Sequence, residues 1–140
     1  MTKYFILIFL LAGLSQDALA SLVGEYELTQ GDEFLCPAGN IHFKGNILIF
    51  GSRHSWSLAA QDKAVINEKV KGGCSYNLTY EKDLDSFKAK TKRSNCPNPK
   101  ENQTLEEDLV MQGDELNYTF QSISAKQVLS KIKCVYKKIR

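Results

Sequence analysis

Few side chains in this 140-residue sequence are of types that make or break bonds, and their spacing argues against most such chemistry. There are two histidines, His42 and His54. Alternation puts His42 outward between Ile41 and Phe43, and His54 falls in a turn, so both read as surface or structural residues. Neither has a serine, cysteine or carboxylate at a spacing that would activate a nucleophile. The four cysteines, Cys36, Cys74, Cys96 and Cys134, are separated by 38, 22 and 38 residues, without the close pairs that zinc sites use. No phosphate-cradling glycine loop, two-histidine metal helix or nucleophile elbow occurs. The expectation is a protein that is not an enzyme, with no catalytic residue, no metal and no cofactor.

The aromatic residues carry more information. Tyr26, Phe43, Trp56, Tyr76, Tyr80, Phe87, Tyr118, Phe120 and Tyr136 fall at alternate positions of apolar runs, so they should mostly point inward. Glu107 would join them if its strand runs without a bulge. Without Phe43, this set is the expected lining of a ligand-binding interior: Tyr26, Trp56, Tyr76, Tyr80, Phe87, Glu107, Tyr118, Phe120 and Tyr136. The same rings are numerous enough to fill a small barrel on their own, because eight strands leave room for little beyond their own side chains.

The elements that position these residues are short strands. From Val23 onward apolar residues recur at every second position, and Gly, Asn, Asp and Pro break the runs. Tyr76, Leu78 and Tyr80 alternate with Ser75, Asn77 and Thr79, and Leu116, Tyr118 and Phe120 alternate with Asn117, Thr119 and Gln121. Ile132, Cys134 and Tyr136 alternate with Lys131, Lys133 and Lys137, Val135 excepted. Other strands are expected near 23–30, 39–43, 47–51, 55–60, 64–70, 85–92 and 104–111, with a turn of helix allowed at 121–130. Tight links at Lys44-Gly45-Asn46, Gly51-Ser52-Arg53, Lys71-Gly72-Gly73, Lys82-Asp83 and Gln112–Glu115 make consecutive strands antiparallel neighbours. The expected fold is all-β: an antiparallel up-and-down meander closed into a small barrel of about eight to ten strands, which leaves no exposed edge. A two-sheet sandwich is the alternative.

Charge supports particular registers. Setting Phe87 opposite Leu109 on the inner face places Lys88 against Asp108 and Lys90 against Glu106 outside. The first strand carries Glu25 and Glu27 outward and the last carries Lys131, Lys133 and Lys137 outward, so joining them closes the barrel on opposite charges. The basic clusters at 88–100 and 126–140 therefore read as a self-paired exterior more readily than as a docking patch. With a net charge of only +2 and aromatics turned away from the lysines, nucleic acid is not an expected partner.

The first twenty residues read as a cleavable secretory signal: Lys3, an apolar run from Tyr4 to Leu14, then Ala18-Leu19-Ala20. The run is too short for the roughly 20 residues of a spanning helix, so no transmembrane anchor is expected after processing. Residues 21–140 would form a single β-barrel domain, secreted or periplasmic, in a compartment that favours disulfides. Four cysteines permit three pairings. If 74–81 and 85–92 form a hairpin with Leu78 facing Phe87, Cys74 lies opposite Thr91, near the loop carrying Cys96. That favours Cys74–Cys96 and leaves Cys36–Cys134 to staple the first and last strands. Three N-glycosylation acceptor patterns begin at Asn77, Asn102 and Asn117, relevant only in a host that glycosylates.

Leu22-Val23-Gly24-Glu25-Tyr26-Glu27-Leu28 resembles the Leu-x-Gly-x-Trp-x-Leu opening of the calycin group, the lipocalin-like and fatty-acid-binding-like barrels. The resemblance implies a small apolar ligand inside the barrel, with Tyr26 plugging one end and Lys133 or Lys137 packing across it. In outline the chain is also similar to small exported bacterial barrels that inhibit host lysozymes and proteases through a loop or barrel face. For that reading the candidate is the Cys96-Pro97-Asn98-Pro99 loop. The expected function is thus an exported binding protein, with a small apolar ligand or an unidentified protein as its partner; a structural envelope protein is a third reading. The sequence does not specify an oligomeric state.

Overall fold

The computed structural model describes Leu19 and residues 21–140. The expected signal segment 1–20 therefore lies, Leu19 excepted, outside the described residues. Ten strands follow in chain order: β1 (Gly24–Gln30), β2 (Asn40–Lys44), β3 (Ile47–Phe50), β4 (His54–Ser57), β5 (Lys63–Lys69), β6 (Ser75–Lys82), β7 (Ser86–Ser94), β8 (Gln103–Gln112), β9 (Glu115–Ser124) and β10 (Gln127–Lys138). A 3₁₀ turn at Pro99–Glu101 sits in the connection from β7 to β8.

All ten strands belong to one antiparallel sheet, ordered β4-β3-β2-β1-β10-β9-β8-β7-β6-β5 and curled into a half-barrel. The first and last strands pair, as the charges require: Glu27 lies opposite Lys137, and Arg140 Nε reaches Glu25 at 3.0 Å. The sheet stays open elsewhere, between β4 and β5, which are its two edges. There the chain does not turn back as a hairpin. Leu58 N–H donates to the Asn46 carbonyl instead, and the Tyr80 hydroxyl on β6 accepts from Ala59 N–H at 2.6 Å. The gap is bridged by side chains, with the Trp56 ring of β4 packed at a tilt 5.0 Å from the Phe87 ring of β7.

The β7–β8 ladder has the expected register, with Phe87 opposite Leu109, Lys88 opposite Asp108 and Lys90 opposite Glu106. The β6–β7 hairpin does not. Leu78 faces Thr91 and Phe87 faces Lys82, a displacement of four residues from the expected pairing. An even displacement preserves which side chains point inward, so alternation could not detect it. The turn is centred on Leu84 and Asp85, where Asp83 N–H donates to the Ser86 carbonyl, rather than on Lys82-Asp83. Segment 121–130 holds no helix: Ala125 and Lys126, both at positive φ, form the tip of the β9–β10 hairpin. Both expected disulfides, Cys36–Cys134 and Cys74–Cys96, are present.

The core lies on the concave face. Phe50, Tyr80, Phe87, Leu109, Leu116, Tyr118, Cys134 and Tyr136 are fully buried, and Tyr26, Trp56 and Ala89 nearly so. Leu19 and Leu22 are buried beside Tyr26, whose hydroxyl donates to the Leu22 carbonyl at 2.6 Å. Gly39 allows the β1–β2 connection to cross Tyr26, because a Cβ there would stand 2.0 Å from the Tyr26 carbonyl oxygen. Phe43, expected inward, is 40% exposed. β2 pairs with β1 only at Asn40 and Ile41, so by Phe43 it has run past that neighbour and off the core.

Candidate functional site

At one end of the half-barrel, the connection from β1 to β2 and the tight turn from β3 to β4 meet. Asp32 organises the first: its side chain accepts from Phe34 N–H at 2.9 Å and its carbonyl from Cys36 N–H at 2.8 Å, an Asx-type turn. Cys36 then ties the segment to β10 through Cys134. Tyr136 adds a second tether, its hydroxyl donating to the Pro37 carbonyl at 2.7 Å. Held at both points, the loop presents Phe34, 85% exposed, and Leu35, 57% exposed. The facing turn depends on Gly51, at φ 64° and pressed against Ala38, before Ser52, Arg53 and His54. Between the two segments lies an open pocket of about 360 Å³, lined by residues 33–38 and 52–54.

His54 connects this pocket to the interior. Its Nδ1 lies 3.1 Å from Glu107 Oε2. The Tyr118 hydroxyl donates to the same carboxylate oxygen at 2.8 Å and stands 3.4 Å from His54 Nδ1. Glu107 is 8% exposed and reaches inward because the β8 ladders carry no bulge. A buried carboxylate is tolerable only with such partners. Burial, followed by the charge and hydrogen bond of Glu107, drives the Tyr118 hydroxyl far above the usual tyrosine range. Tyr118 therefore stays protonated and donates. Phe50 packs edge-on against Tyr118 at 5.2 Å and Tyr136 at 5.6 Å.

Of the residues proposed from sequence to line an interior site, Trp56, Tyr80, Phe87, Glu107, Tyr118 and Tyr136 converge in the core together with Tyr26 at its end. Phe120 is half-buried against them. Tyr76 sits at the rim, with the Arg93 guanidinium 6.0 Å above its ring. Across Tyr26 the basic group is Lys138, its Nζ 5.8 Å from the ring centroid, rather than Lys133 or Lys137. Lys138 also donates to the Ser21 carbonyl at 2.9 Å. The Cys96–Pro99 loop is tied to itself, Asn102 accepting from Cys96 N–H and Asn98 from Lys100 N–H.

Sequence reasoning missed His54 as a partner of Glu107, and it missed Phe50. No local signal links residues 53 positions apart, and the uninterrupted apolar run Ile47–Phe50 conceals which side faces in. The one group of metal-ligating residue types among the described residues, Cys74, Cys96 and Glu101, has its sulfurs joined in a disulfide. Among the described residues no helix is long and apolar enough to cross a membrane.

No family model, curated protein or solved structure matches this chain. Fold and site together define a disulfide-stapled antiparallel half-barrel with an apolar, aromatic-rich concave face and a tethered loop pocket at one end.

Proposed function

We propose that this chain is an exported binding protein that engages a protein partner through the loop end formed by residues 31–38 and 51–54. The observation that carries the reading is Phe34, a ring 85% exposed on a loop fixed by a disulfide and an Asx turn. Exposing a ring to water is unfavourable, and fixing it in advance lowers the entropy cost of association. Aromatic residues are enriched at protein interfaces, and loops on rigid scaffolds commonly carry recognition. Two disulfides fit the oxidising compartment that export supplies.

Phe34→p-benzoylphenylalanine, made in the native host, should yield one discrete photo-adduct. The same cross-linker at Leu84, exposed at the opposite end of the strands, should not. Added wild-type protein should suppress the adduct, and added Phe34→Ser protein should not. Adducts of equal intensity from both positions would refute the reading.

The calycin-like alternative, an apolar ligand held inside, is favoured by Lys138 over Tyr26 at the barrel end and by the meander itself. The ring contacts around Phe50 and Trp56 leave it the second reading. Displacement of a fluorescent fatty acid, with a lipid retained in native mass spectrometry, would promote it to first.

A further inference from the structure

The pocket beside Phe34 has a specific chemistry. Its apolar wall is Phe34, Leu35, Pro37 and Ala38, and its polar wall is Ser52, Arg53 and His54. We propose that it takes an acidic side chain of the protein partner, flanked by apolar residues, with the carboxylate seated between Arg53 and His54. This deepens the loop-end reading and rests on it.

Arg53 is exposed and carries a guanidinium, whose planar fork matches a carboxylate. His54 is held in place from behind. With Glu107 accepting at Nδ1, that nitrogen carries the proton, and the second ring nitrogen is left for a ligand. A carboxylate can accept a hydrogen bond there only if that nitrogen is protonated. A carboxylate bound there would therefore pair with an imidazolium that Glu107 holds from the other side. The charged or titratable groups facing His54 are Glu107 from β8, Tyr118 from β9, Arg53 beside it and Glu33 on the far wall of the pocket. Tyr118 remains neutral, so the charged neighbours of the pocket are Glu107, Glu33 and Arg53. The remaining neighbours, Phe50 and Trp56, are uncharged rings.

The test uses two blocked tripeptides, acetyl-Leu-Glu-Phe-amide and acetyl-Leu-Gln-Phe-amide, titrated into the whole protein and followed by NMR of the backbone and the His54 ring. The glutamate peptide should bind about fivefold tighter than the glutamine peptide near pH 6, the worth of one exposed charge contact. Arg53→Gln should reduce the advantage, and Arg53→Gln combined with His54→Phe should abolish it. The acid-against-amide comparison on the wild-type protein needs no variant, so a misfolded mutant cannot obscure it. Equal binding of both peptides, abolished by Phe34→Ser, would overturn the carboxylate pocket while leaving the loop-end reading intact. If neither peptide shifts the pocket resonances, the carboxylate pocket is again overturned. The loop-end reading then fails only if the cross-linker at Phe34 also gives no specific adduct.

Discussion

Tyr118→Phe would remove one oxygen from the core and leave Glu107 with His54 as its remaining hydrogen-bonded side chain. Losing a hydrogen bond to a buried charged group costs about 1–3 kcal/mol, so the urea midpoint should fall with an unchanged m value. The interior tyrosines also predict how stability depends on alkaline pH. Burial pushes the Tyr26 hydroxyl up to about 12 from an ordinary 10.0, and Tyr136 is pushed up by the same cause. Above pH 10 the unfolded chain loses its tyrosine protons while the folded chain retains them, which favours unfolding. Stability that is complete below pH 10 should therefore decline as pH rises toward 12, and Tyr26→Phe should make that decline shallower in pH-dependent urea titrations. Glu107 was legible in the sequence because a strand without a bulge leaves it no face but the inner one. His54 was not, since a turn residue has no period and its partner arrives from across the sheet.

Among the elements, strand identity was legible almost throughout, and pairing was legible where two patterns coincided. Along β7 and β8, apolar residues and charges select the same register, and Lys90 reaches Glu106 at 3.5 Å. For β6 and β7 the sequence offered alternation alone, which tolerates any even slip, and the turn chemistry of Leu84-Asp85 lacks the glycine or asparagine that advertises a hairpin. The true register places Tyr80 opposite Ala89, which in turn faces Glu107 across the next ladder. Ala89 is 4% exposed and leaves room for both larger neighbours. Ala89→Leu should consequently cost about 1–3 kcal/mol by overpacking, measured by thermal or urea unfolding. The β9–β10 tip escaped notice for a similar reason, as Ala125-Lys126 carries none of the residues that usually adopt positive φ.

For the whole molecule, apolar alternation, tight turns and cysteine placement indicated an all-β meander with two staples, but not where the sheet would remain open. That depends on how residues 58–62 lie against Tyr80, a tertiary contact without a local signature. The staples constrain very different lengths of chain, 98 residues for Cys36–Cys134 and 22 for Cys74–Cys96. On the chain-entropy account, replacing the first pair by serines should cost about 5 kcal/mol and the second about 3 kcal/mol. Melting temperatures of the two double variants should fall in that order.

The pairing of β1 with β10 also bears on how the chain is made. A polypeptide emerging amino end first holds Tyr26, Glu27 and Leu28 with their main ladder missing until residues 135–138 appear. Shortening the chain from the carboxyl end should thus give protease-sensitive products whenever Tyr136 and Lys137 are missing. Resistance should then arise abruptly rather than strand by strand, because the closing contacts are also those most distant along the chain.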